Sequence, residues 1–463
     1  MDISKPKKVL VIGLDCATPQ LVFDRFLPEL PNIGRLIGAG LYGELKSTIP
    51  PITTPAWMCM MSSKSPGTLG IYGFRNRKDY TSDKLFTANS TAVKEDLVWD
   101  ILGRLGKKTI MVGVPQTYPP KPVNGQMVTC FLTPSIESEY TYPKELKEEI
   151  AREVGRYMLD VEGFRTDDKD RLLREIHEMT DIRHRLVKHL MTTKPWDFFM
   201  MVEMGPDRLH HGFWRFCIPE HPEYKPGNPY ESAMLDYYKK LDSNIGELVS
   251  LAGDKTAVIV VSDHGAKTMF GGVCINEWLI REGYLTVKSK PEGVVRPDKC
   301  EFDWTRTMAW GEGGYYGRLF MSVKGREPNG LIPPEDYERV RGEIARKLEA
   351  ITDENGRNIG TRVFRPEDVY PEVRNVAPDL IVYFGDLAWR SVGSIGSGKV
   401  LTYENDTGPD DANHAQHGIF AMGGAGVPSR GKLEGLDILD VAPTILNLMG
   451  VPVPPDMNGR SIV

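Results

Sequence analysis

The fold is decided by the stretch Val9-Leu10-Val11-Ile12-Gly13-Leu14-Asp15, an apolar run that ends on a carboxylate. A continuous apolar run that leads into a turn predicts a strand buried on both faces of a sheet. Similar runs recur at 109–114, 198–203, 257–262, 380–384 and 418–422. Between several of them lie amphipathic helical stretches, with apolar residues three and four positions apart, such as 173–190 and 232–251. We therefore expect an α/β fold with a mostly parallel central sheet and helices on both faces.

Residues 285–375 have a different character, because polar and turn-rich stretches replace the long apolar runs. One helix is predicted there at 334–350, where two prolines precede apolar residues at helical spacing. We interpret 285–375 as an inserted, smaller α+β module. Residues 1–284 and 376–463 would then form the catalytic domain.

Composition excludes several classes of protein. Among 463 residues, 57 Lys and Arg stand against 63 Asp and Glu, a net charge of −6 without a basic patch, so no nucleic-acid polymer is expected as a partner. No apolar run approaches the ~20 residues that cross a bilayer, and the polar start leaves little room for a secretory leader, so we expect none. The six cysteines have no paired spacing, which is typical of reduced thiols. We expect a cytoplasmic protein.

Metal-ligating residue types lie at or beside the ends of four predicted strands. In a parallel sheet, ligands bind beyond the carboxyl ends of the strands. Five of the nine histidines fall in these four segments, beside or near carboxylates. Mixed Asp and His sets suit Zn²⁺, Mn²⁺ or Fe²⁺ better than Ca²⁺ or Mg²⁺, which prefer oxygen ligands alone. The candidate ligands are Asp15, Asp207, His211, Asp263, His264 and His414.

Each segment also has an ordinary structural explanation. Asp15 could cap a helix, and Asp207 with His211 could be a surface pair four residues apart. The Asp263-His264-Gly265 segment could be a simple turn, and His414 could be a solvated loop histidine. The concentration of these residues at strand ends favours a metal site over the separate explanations.

The candidate nucleophile lies in Pro50-Pro51-Ile52-Thr53-Thr54-Pro55-Ala56-Trp57. The hydroxyl of Thr53 is inert at neutral pH unless a base or a metal ion favours its alkoxide. At a helix N-terminus it would lie beside free N–H groups, which bind phosphate. The alternative is that the two threonines and Pro55 only cap a core helix that carries Trp57.

Taken together, these segments resemble the alkaline phosphatase superfamily, and within it the type I phosphodiesterase/nucleotide pyrophosphatase family. The resemblance runs in order through most of the chain. Its motifs are Thr53-Thr54-Pro55, Pro66-Gly67-Thr68-Leu69-Gly70-Ile71, Pro206-Asp207 with His211, Ser262-Asp263-His264-Gly265, His414 before Gly418-Ile419, and the tail Leu439-Asp440-Val441-Ala442-Pro443-Thr444.

The resemblance implies a phosphoric ester hydrolase with two divalent transition-metal ions, zinc before manganese or iron. One ion would be held by Asp207, His211 and His414, and the other by Asp15, Asp263, His264 and the Thr53 oxygen. Thr53 would attack phosphorus and form a covalent phospho-threonine, which water would then hydrolyse.

Three positions depart from the family pattern. Nucleotide pyrophosphatases place a phosphate-binding Asn a few residues after Gly-Ile, where this chain has Phe74. Arg75 or Asn76 could take over that contact. Ala56 also replaces a common Asn after the Thr-x-Pro motif, and Cys16 replaces a frequent Gly. The substrate pocket is therefore less defined by the motifs than the metal ligands are.

Other functions remain open at this stage. A phosphomonoesterase or phosphosugar mutase would share the metal ligands, and a metal-bound scaffold would lack turnover. A sulfatase is disfavoured because Thr53 stands where those enzymes need Cys or Ser. The first turn, Gly13-Leu14-Asp15-Cys16-Ala17, lacks the glycine spacing of a dinucleotide-binding fold. We expect a small phosphorylated substrate, contacted in part by His210 and His417, and no membrane partner. The sequence indicates no oligomeric state.

Overall fold

The computed structural model describes residues 6–81 and 84–463. The chain forms two compact units, each built from separate segments. The first comprises the residues up to Leu69, Ala88–Ala266 and Ala415–Val463. The second comprises Gly70–Thr87 and Lys267–His414.

The strands are short in the second unit and longer in the centre of the first. In chain order they are β1 (Lys8–Leu14), β2 (Leu41–Lys46), β3 (Arg75–Arg77), β4 (Leu85–Thr87), β5 (Thr109–Val112), β6 (Gly125–Val128), β7 (Thr141–Tyr142), β8 (Phe198–Glu203), β9 (Thr256–Val261), β10 (Gly265–Thr268), β11 (Gly271–Cys274), β12 (Ala309–Glu312), β13 (Gly317–Met321), β14 (Arg362–Phe364), β15 (Leu380–Tyr383), β16 (Trp389–Val392), β17 (Leu401–Thr402), β18 (Ala412–Ala415), β19 (His417–Gly424), β20 (Gly431–Lys432) and β21 (Leu436–Asp437).

The α-helices range from single turns to a long amphipathic helix in the first unit. They are α1 (Pro31–Gly38), α2 (Thr53–Ser62), α3 (Pro66–Leu69), α4 (Val98–Arg104), α5 (Leu146–Val154), α6 (Lys169–Thr193), α7 (Gly205–Cys217), α8 (Ala233–Ala252), α9 (Ile275–Arg281), α10 (Tyr337–Glu349), α11 (Pro366–Val369) and α12 (Val441–Leu448). No helix in the described ranges is long and apolar enough to cross a membrane.

The first unit is organised around one large sheet, in the order β20-β2-β19-β9-β1-β8-β5-β6-β7, with β21 also paired to β2. Strand β1 pairs in parallel with β8 and β9, and β5 continues in parallel from β8. Strand β19 is antiparallel to both of its neighbours. Every residue of β8 and β9 is buried, which explains their largely apolar sequences. The predicted mostly parallel α/β sheet is confirmed.

Helices surround this sheet. Helices α6, α7 and α8 pack against one another, α1 packs on β19, and α2 packs on α12. The parallel register of β1, β8 and β9 brings their carboxyl ends to the same edge of the sheet. Asp15, the start of α7 and Asp263 follow those three strand ends within two residues. The sheet topology therefore collects three of the four candidate segments at one place.

The second unit contains a four-stranded antiparallel sheet, β12-β13-β15-β14, and a three-stranded sheet, β16-β11-β17. The predicted strand at 380–384 exists as β15, but it was wrongly grouped with the strands of the central sheet. Its hydrogen-bonded partners are β13 and β14, so it belongs to the second unit. A buried apolar run does not identify its partner strand, which lies far away in the sequence.

The second unit is also wider than the module expected at 285–375. Strand β11 and helix α9 precede that module in sequence, yet their side chains share one apolar core with β13 and α10. Val273, Trp278, Leu319 and Ile344 are all buried in that core. The hairpin of β3 and β4 belongs to the same unit. Separate chain segments form the unit because they bury a common apolar surface.

Candidate active site

Asp15 lies at the end of β1, and only one of its two carboxylate oxygens accepts a hydrogen bond from the described residues. The side chain is completely buried. The indole Nε1 of Trp57 donates a hydrogen bond of 2.8 Å to Oδ2, and the Asp15 amide donates to the Glu203 carbonyl at 3.0 Å. No hydrogen bond reaches Oδ1 from the described residues. This oxygen is therefore available to a ligand, and the capping role considered for Asp15 is not observed.

Asp263 follows β9 and is fixed by its neighbours. The hydroxyl of Ser262 donates to the Ala17 carbonyl and accepts the Ile419 amide, both at 2.7 Å, so the turn is fixed from two directions. The Cys16 amide donates to Asp263 Oδ1 at 3.3 Å. The other oxygen, Oδ2, is buried and lacks a hydrogen-bond partner in the described structure. Asp263 thus repeats the arrangement at Asp15, with one oxygen anchored and one open.

His264 shows which of its ring nitrogens carries the proton. Its Nδ1 lies 3.1 Å from the carbonyl oxygen of Gly265, and a carbonyl can only accept a hydrogen bond. Burial lowers the pKa of His264 to about 4, so the ring is neutral at pH 7 and its proton resides on Nδ1. The lone pair of Nε2 therefore points toward Asp263 Oδ2 at 3.2 Å and Asp15 Oδ1 at 3.7 Å.

These three residues form a donor set that fits a divalent transition metal. Their ligand atoms lie within 4.8 Å of one another, and all three side chains are buried. Burial and the nearby charge of Asp207 raise the pKa of Asp15, and burial and the charge of Asp15 raise that of Asp263. Two open carboxylate oxygens and a nitrogen lone pair repel one another unless a cation lies between them. The orphaned buried atoms thus fit the metal site that the motifs imply.

Thr53 lies at the N-terminus of α2 and beside this donor set. The chain is extended at Ile52, which precedes the helix, and Thr53 is 97% buried. Its hydroxyl oxygen lies 3.1 Å from Nε2 of His264. Because Nε2 carries no proton, the hydroxyl is the donor. The Thr53 hydroxyl is therefore hydrogen-bonded to a candidate ligand, and α2 begins without a side-chain cap.

Asp207 and His211 lie one turn apart on α7. Both side chains are buried, so the surface pair considered above is not observed. His211 Nε2 lies 3.3 Å from Asp207 Oδ1. Glu203 fixes the start of this helix, because its Oε1 accepts the Gly205 amide and the Arg183 guanidinium, each at 3.0 Å.

His414 is the last residue of the second unit and lies in β18. Its side chain is buried, and its ring stacks on Tyr315 with the ring centroids 4.1 Å apart. Its amide donates to Asn413 Oδ1 at 2.8 Å. His414 is therefore part of a strand and not a solvated loop residue, and its assignment as a metal ligand stays a prediction.

The predicted substrate contacts lie in different environments. The amide of Asn76 fixes its own turn, accepting from the Tyr72 amide and donating to the Gly73 carbonyl, both at 2.7 Å. His210 is completely buried against Tyr238, whose hydroxyl lies 3.1 Å from Nε2, and burial lowers the pKa of His210 to about 3. Arg75 and His417 are exposed. Their roles as substrate contacts stay predictions.

Sequence reasoning did not assign a site role to two side chains that hold candidate ligands. Trp57 was named only in the alternative interpretation, as part of a core helix, yet it lies four residues beyond Thr53 and donates to Asp15. Arg208 was not singled out, although it lies directly after Asp207 and donates to Asp207 Oδ2. Position within the motifs was the available signal in both cases.

Comparison with known proteins shows the family to which the chain belongs. The sequence profile of the family described as type I phosphodiesterase / nucleotide pyrophosphatase matches residues 9–419. The chain belongs to this family. It is therefore a hydrolase that acts on phosphoric ester bonds. No curated protein matches the chain.

Three solved structures of family members resemble the whole chain, and each comparison covers 98% of this chain and 97% of the other. Human ectonucleotide pyrophosphatase/phosphodiesterase 5 has 13% identity and a TM-score of 0.56. An inactive murine form in complex with AMP has 13% identity and a TM-score of 0.57, and the murine enzyme itself has 14% and 0.56. At these identities the likeness shows the fold alone.

Proposed function

We propose that this hydrolase cleaves phosphodiester or pyrophosphate bonds of small phosphorylated substrates, with Thr53 as the nucleophile and two bound divalent metal ions. The observation that carries the proposal is the 3.1 Å contact between the Thr53 hydroxyl and the unprotonated Nε2 of His264. That contact lies beside the open oxygens of two buried carboxylates, Asp15 and Asp263.

We assign the two metal ions as the motifs suggest. Asp15, Asp263, His264 and the Thr53 oxygen would hold one ion, and Asp207, His211 and His414 the other. Bound divalent ions would stabilise an alkoxide and the negative charge that develops on phosphoryl oxygens. Zinc is our first choice because the sets mix carboxylate and imidazole donors, with manganese or iron as alternatives.

The protein's own residues supply position and polarity. Thr53 Oγ1 forms a bond to phosphorus as the bond between phosphorus and the leaving oxygen breaks. The Thr53 proton passes to solvent, and the leaving oxygen departs as part of an alcohol or a phosphate. Thr53 and Thr54 precede the regular turns of α2, since Thr54 has non-helical backbone angles, and the N-terminal end of a helix favours a phosphoryl group near it. Water then attacks the phospho-threonine, which releases phosphate or a phosphate monoester and restores the Thr53 hydroxyl. Trp57 keeps Asp15 oriented throughout.

We propose nucleotide-like substrates, since a murine relative has been solved with AMP. Phe74 takes the position of the family's phosphate-binding Asn, so the contacts to the substrate differ from those of nucleotide pyrophosphatases. None of the six cysteines forms a disulfide in the described structure, which supports our proposal of a cytoplasmic location.

The test compares hydrolysis of bis(4-nitrophenyl) phosphate and 4-nitrophenyl phosphate by wild type, Thr53→Ala and Thr53→Ser. We expect the diester to be preferred and Thr53→Ala to lower kcat by on the order of 10³-fold or more, because the nucleophile is lost. Thr53→Ser, which keeps a hydroxyl, should retain part of the activity. Undiminished hydrolysis by Thr53→Ala would remove Thr53 as nucleophile. Metal analysis should find close to two ions per chain, and fewer than one in carefully metallated protein would contradict the two-metal proposal.

A further inference from the structure

Arg208 lies between Asp207 and His211 on α7, and its side chain is held by three hydrogen bonds to carboxylates. Its Nε and Nη2 donate to the two oxygens of Asp160 at 2.9 and 2.6 Å, a two-pronged arrangement that fixes the guanidinium plane. Its Nη1 donates to Asp207 Oδ2. Only 8% of the Arg208 side chain is exposed.

Aromatic rings add to this fixation. The guanidinium lies 4.4 Å from the ring centroid of Phe164 and 5.4 Å from that of Phe131. The Phe164 ring in turn packs on the ring of His211, with centroids 5.9 Å apart. Asp160 is itself anchored, because its Oδ1 accepts the Val161 amide at 2.8 Å. Arg208 is thus held by a carboxylate, two rings and its own helix.

In this arrangement the two carboxylate oxygens of Asp207 have different neighbours. Oδ2 accepts from Arg208, whereas Oδ1 lies 3.3 Å from His211 Nε2. Because Arg208 is fixed by Asp160, the Asp207 carboxylate cannot rotate without breaking a charge-assisted hydrogen bond. The oxygen beside His211 is therefore the one presented to a cation.

We propose that the Asp160–Arg208 pair is a positioning device for the ligand Asp207. It makes Asp207 bind its metal ion through Oδ1 together with His211. The inference rests on the proposed metal-dependent function, and it adds two residues that the family motifs do not include. Partners that orient a metal ligand in this way typically change metal affinity by about 10- to 100-fold when they are removed.

The test is a zinc titration of the metal-free protein against a chromophoric chelator, which does not depend on turnover. Wild type should show two dissociation constants. Asp160→Asn should weaken one of them by about 10- to 100-fold and leave the other unchanged. Arg208→Lys keeps the charge but cannot make the two-pronged contact, so it should weaken the same constant.

Two controls separate positioning from a general effect on the fold. Glu223→Gln makes the same chemical change at the exposed partner of Arg215, another arginine of α7. It should leave both constants at their wild-type values. In an Asp207→Asn background, Asp160→Asn should have no further effect, since the pair acts only through Asp207.

Unchanged zinc constants in Asp160→Asn and Arg208→Lys, or an effect of Asp160→Asn that persists without the Asp207 carboxylate, would overturn the inference. A raised KM at unchanged zinc affinity would also overturn it, because Arg208 would then act on the substrate. If Asp160→Asn does not fold, Arg208→Lys alone decides. If zinc binding depends on Asp160 but the protein hydrolyses no phosphodiester, the proposed function is contradicted and this inference stands.

Discussion

Two clusters of buried charge, one in each unit, differ in how completely their polar atoms are paired. In the second unit, Asp379 accepts hydrogen bonds at both oxygens, from Arg326 at 2.8 and 3.0 Å, from the Tyr337 hydroxyl and from the Met321 amide. Glu327 beside it is equally satisfied by Arg77, Arg326 and the Val323 amide. In the first unit, Asp15 and Asp263 each keep one buried oxygen without a hydrogen-bond partner in the described structure.

The difference indicates what each cluster is for. A buried carboxylate that is fully paired stabilises the fold, whereas an unpaired one costs free energy in the absence of a cation. Arg326, Glu327 and the residues that contact Asp379 therefore hold the second unit together. The same substitution, Asp to Asn, should have opposite effects on stability in the two clusters.

The largest expected effect is that of Asp263→Asn on catalysis. We expect kcat/KM for bis(4-nitrophenyl) phosphate to fall by about 10³-fold, because a bound ion contributes several kcal/mol to the transition state. The metal-free variant should nevertheless be as stable as wild type or more stable, by about 1 kcal/mol. The neutral amide removes the buried carboxylate charge that lies beside Asp15, so no cation is needed to offset it.

Urea unfolding in a chelator, with and without the substitution, measures this stability, and the kinetic assay with added zinc measures the activity. Glu223→Gln, a surface change in the same unit, is the control for both. A strongly destabilised Asp263→Asn protein would show that the cluster is structural and would remove the distinction between the two regions.

The next largest effect is the loss of stability in Asp379→Asn. An amide group at this position would place N–H donors against Arg326 or the Met321 amide, and a buried pair that loses one charge costs about 3 kcal/mol. The thermal midpoint should fall by several degrees in a chain of this size. Zinc binding by the folded variant should equal that of wild type. A stable Asp379→Asn protein with impaired zinc binding would reverse the assignment of the two clusters.

Much of the first unit can be predicted from the sequence, because its buried strands are recognisable from short stretches of residues. Strands buried on both faces leave continuous apolar runs, so the runs at 109–114, 198–203 and 257–262 lie within two residues of β5, β8 and β9. The parallel sheet then brings Asp15, Asp263 and His264 to one edge, next to Thr53. Their roles as ligands and nucleophile stay predictions.

The rest depends on partners that are distant in the sequence. The run at 380–384 gives no sign that it pairs with β13 and β14, because strand pairing depends on the partner as much as on the strand. The extent of the second unit likewise follows from a core shared by Val273 and Leu319. The direction of the Arg208 side chain requires Asp160, 48 positions earlier, which carries no motif. Pairing of this kind appears only in the folded chain.

The smallest expected effect is the pH dependence of stability in the metal-free protein. Burial raises the pKa of both Asp15 and Asp263 above the usual carboxyl range, and the charge of Asp15 adds to the shift at Asp263. A carboxyl whose pKa is higher in the folded state contributes stability below the unfolded pKa of about 4, and this stability is lost as pH rises through the folded pKa. His264 acts in the opposite direction: its pKa is lowered to about 4, so its contribution to stability is complete above about pH 6.5 and is lost as pH falls toward 4.

The difference in unfolding free energy between Asp263→Asn and wild type isolates the carboxyl contribution. In chelator, the advantage of Asp263→Asn in unfolding free energy should therefore be small at pH 4 to 5 and grow toward pH 8. The matched Asp379→Asn protein should show no such growth, and an advantage that shrinks as pH rises would contradict the unpaired state of the Asp15 and Asp263 carboxylates.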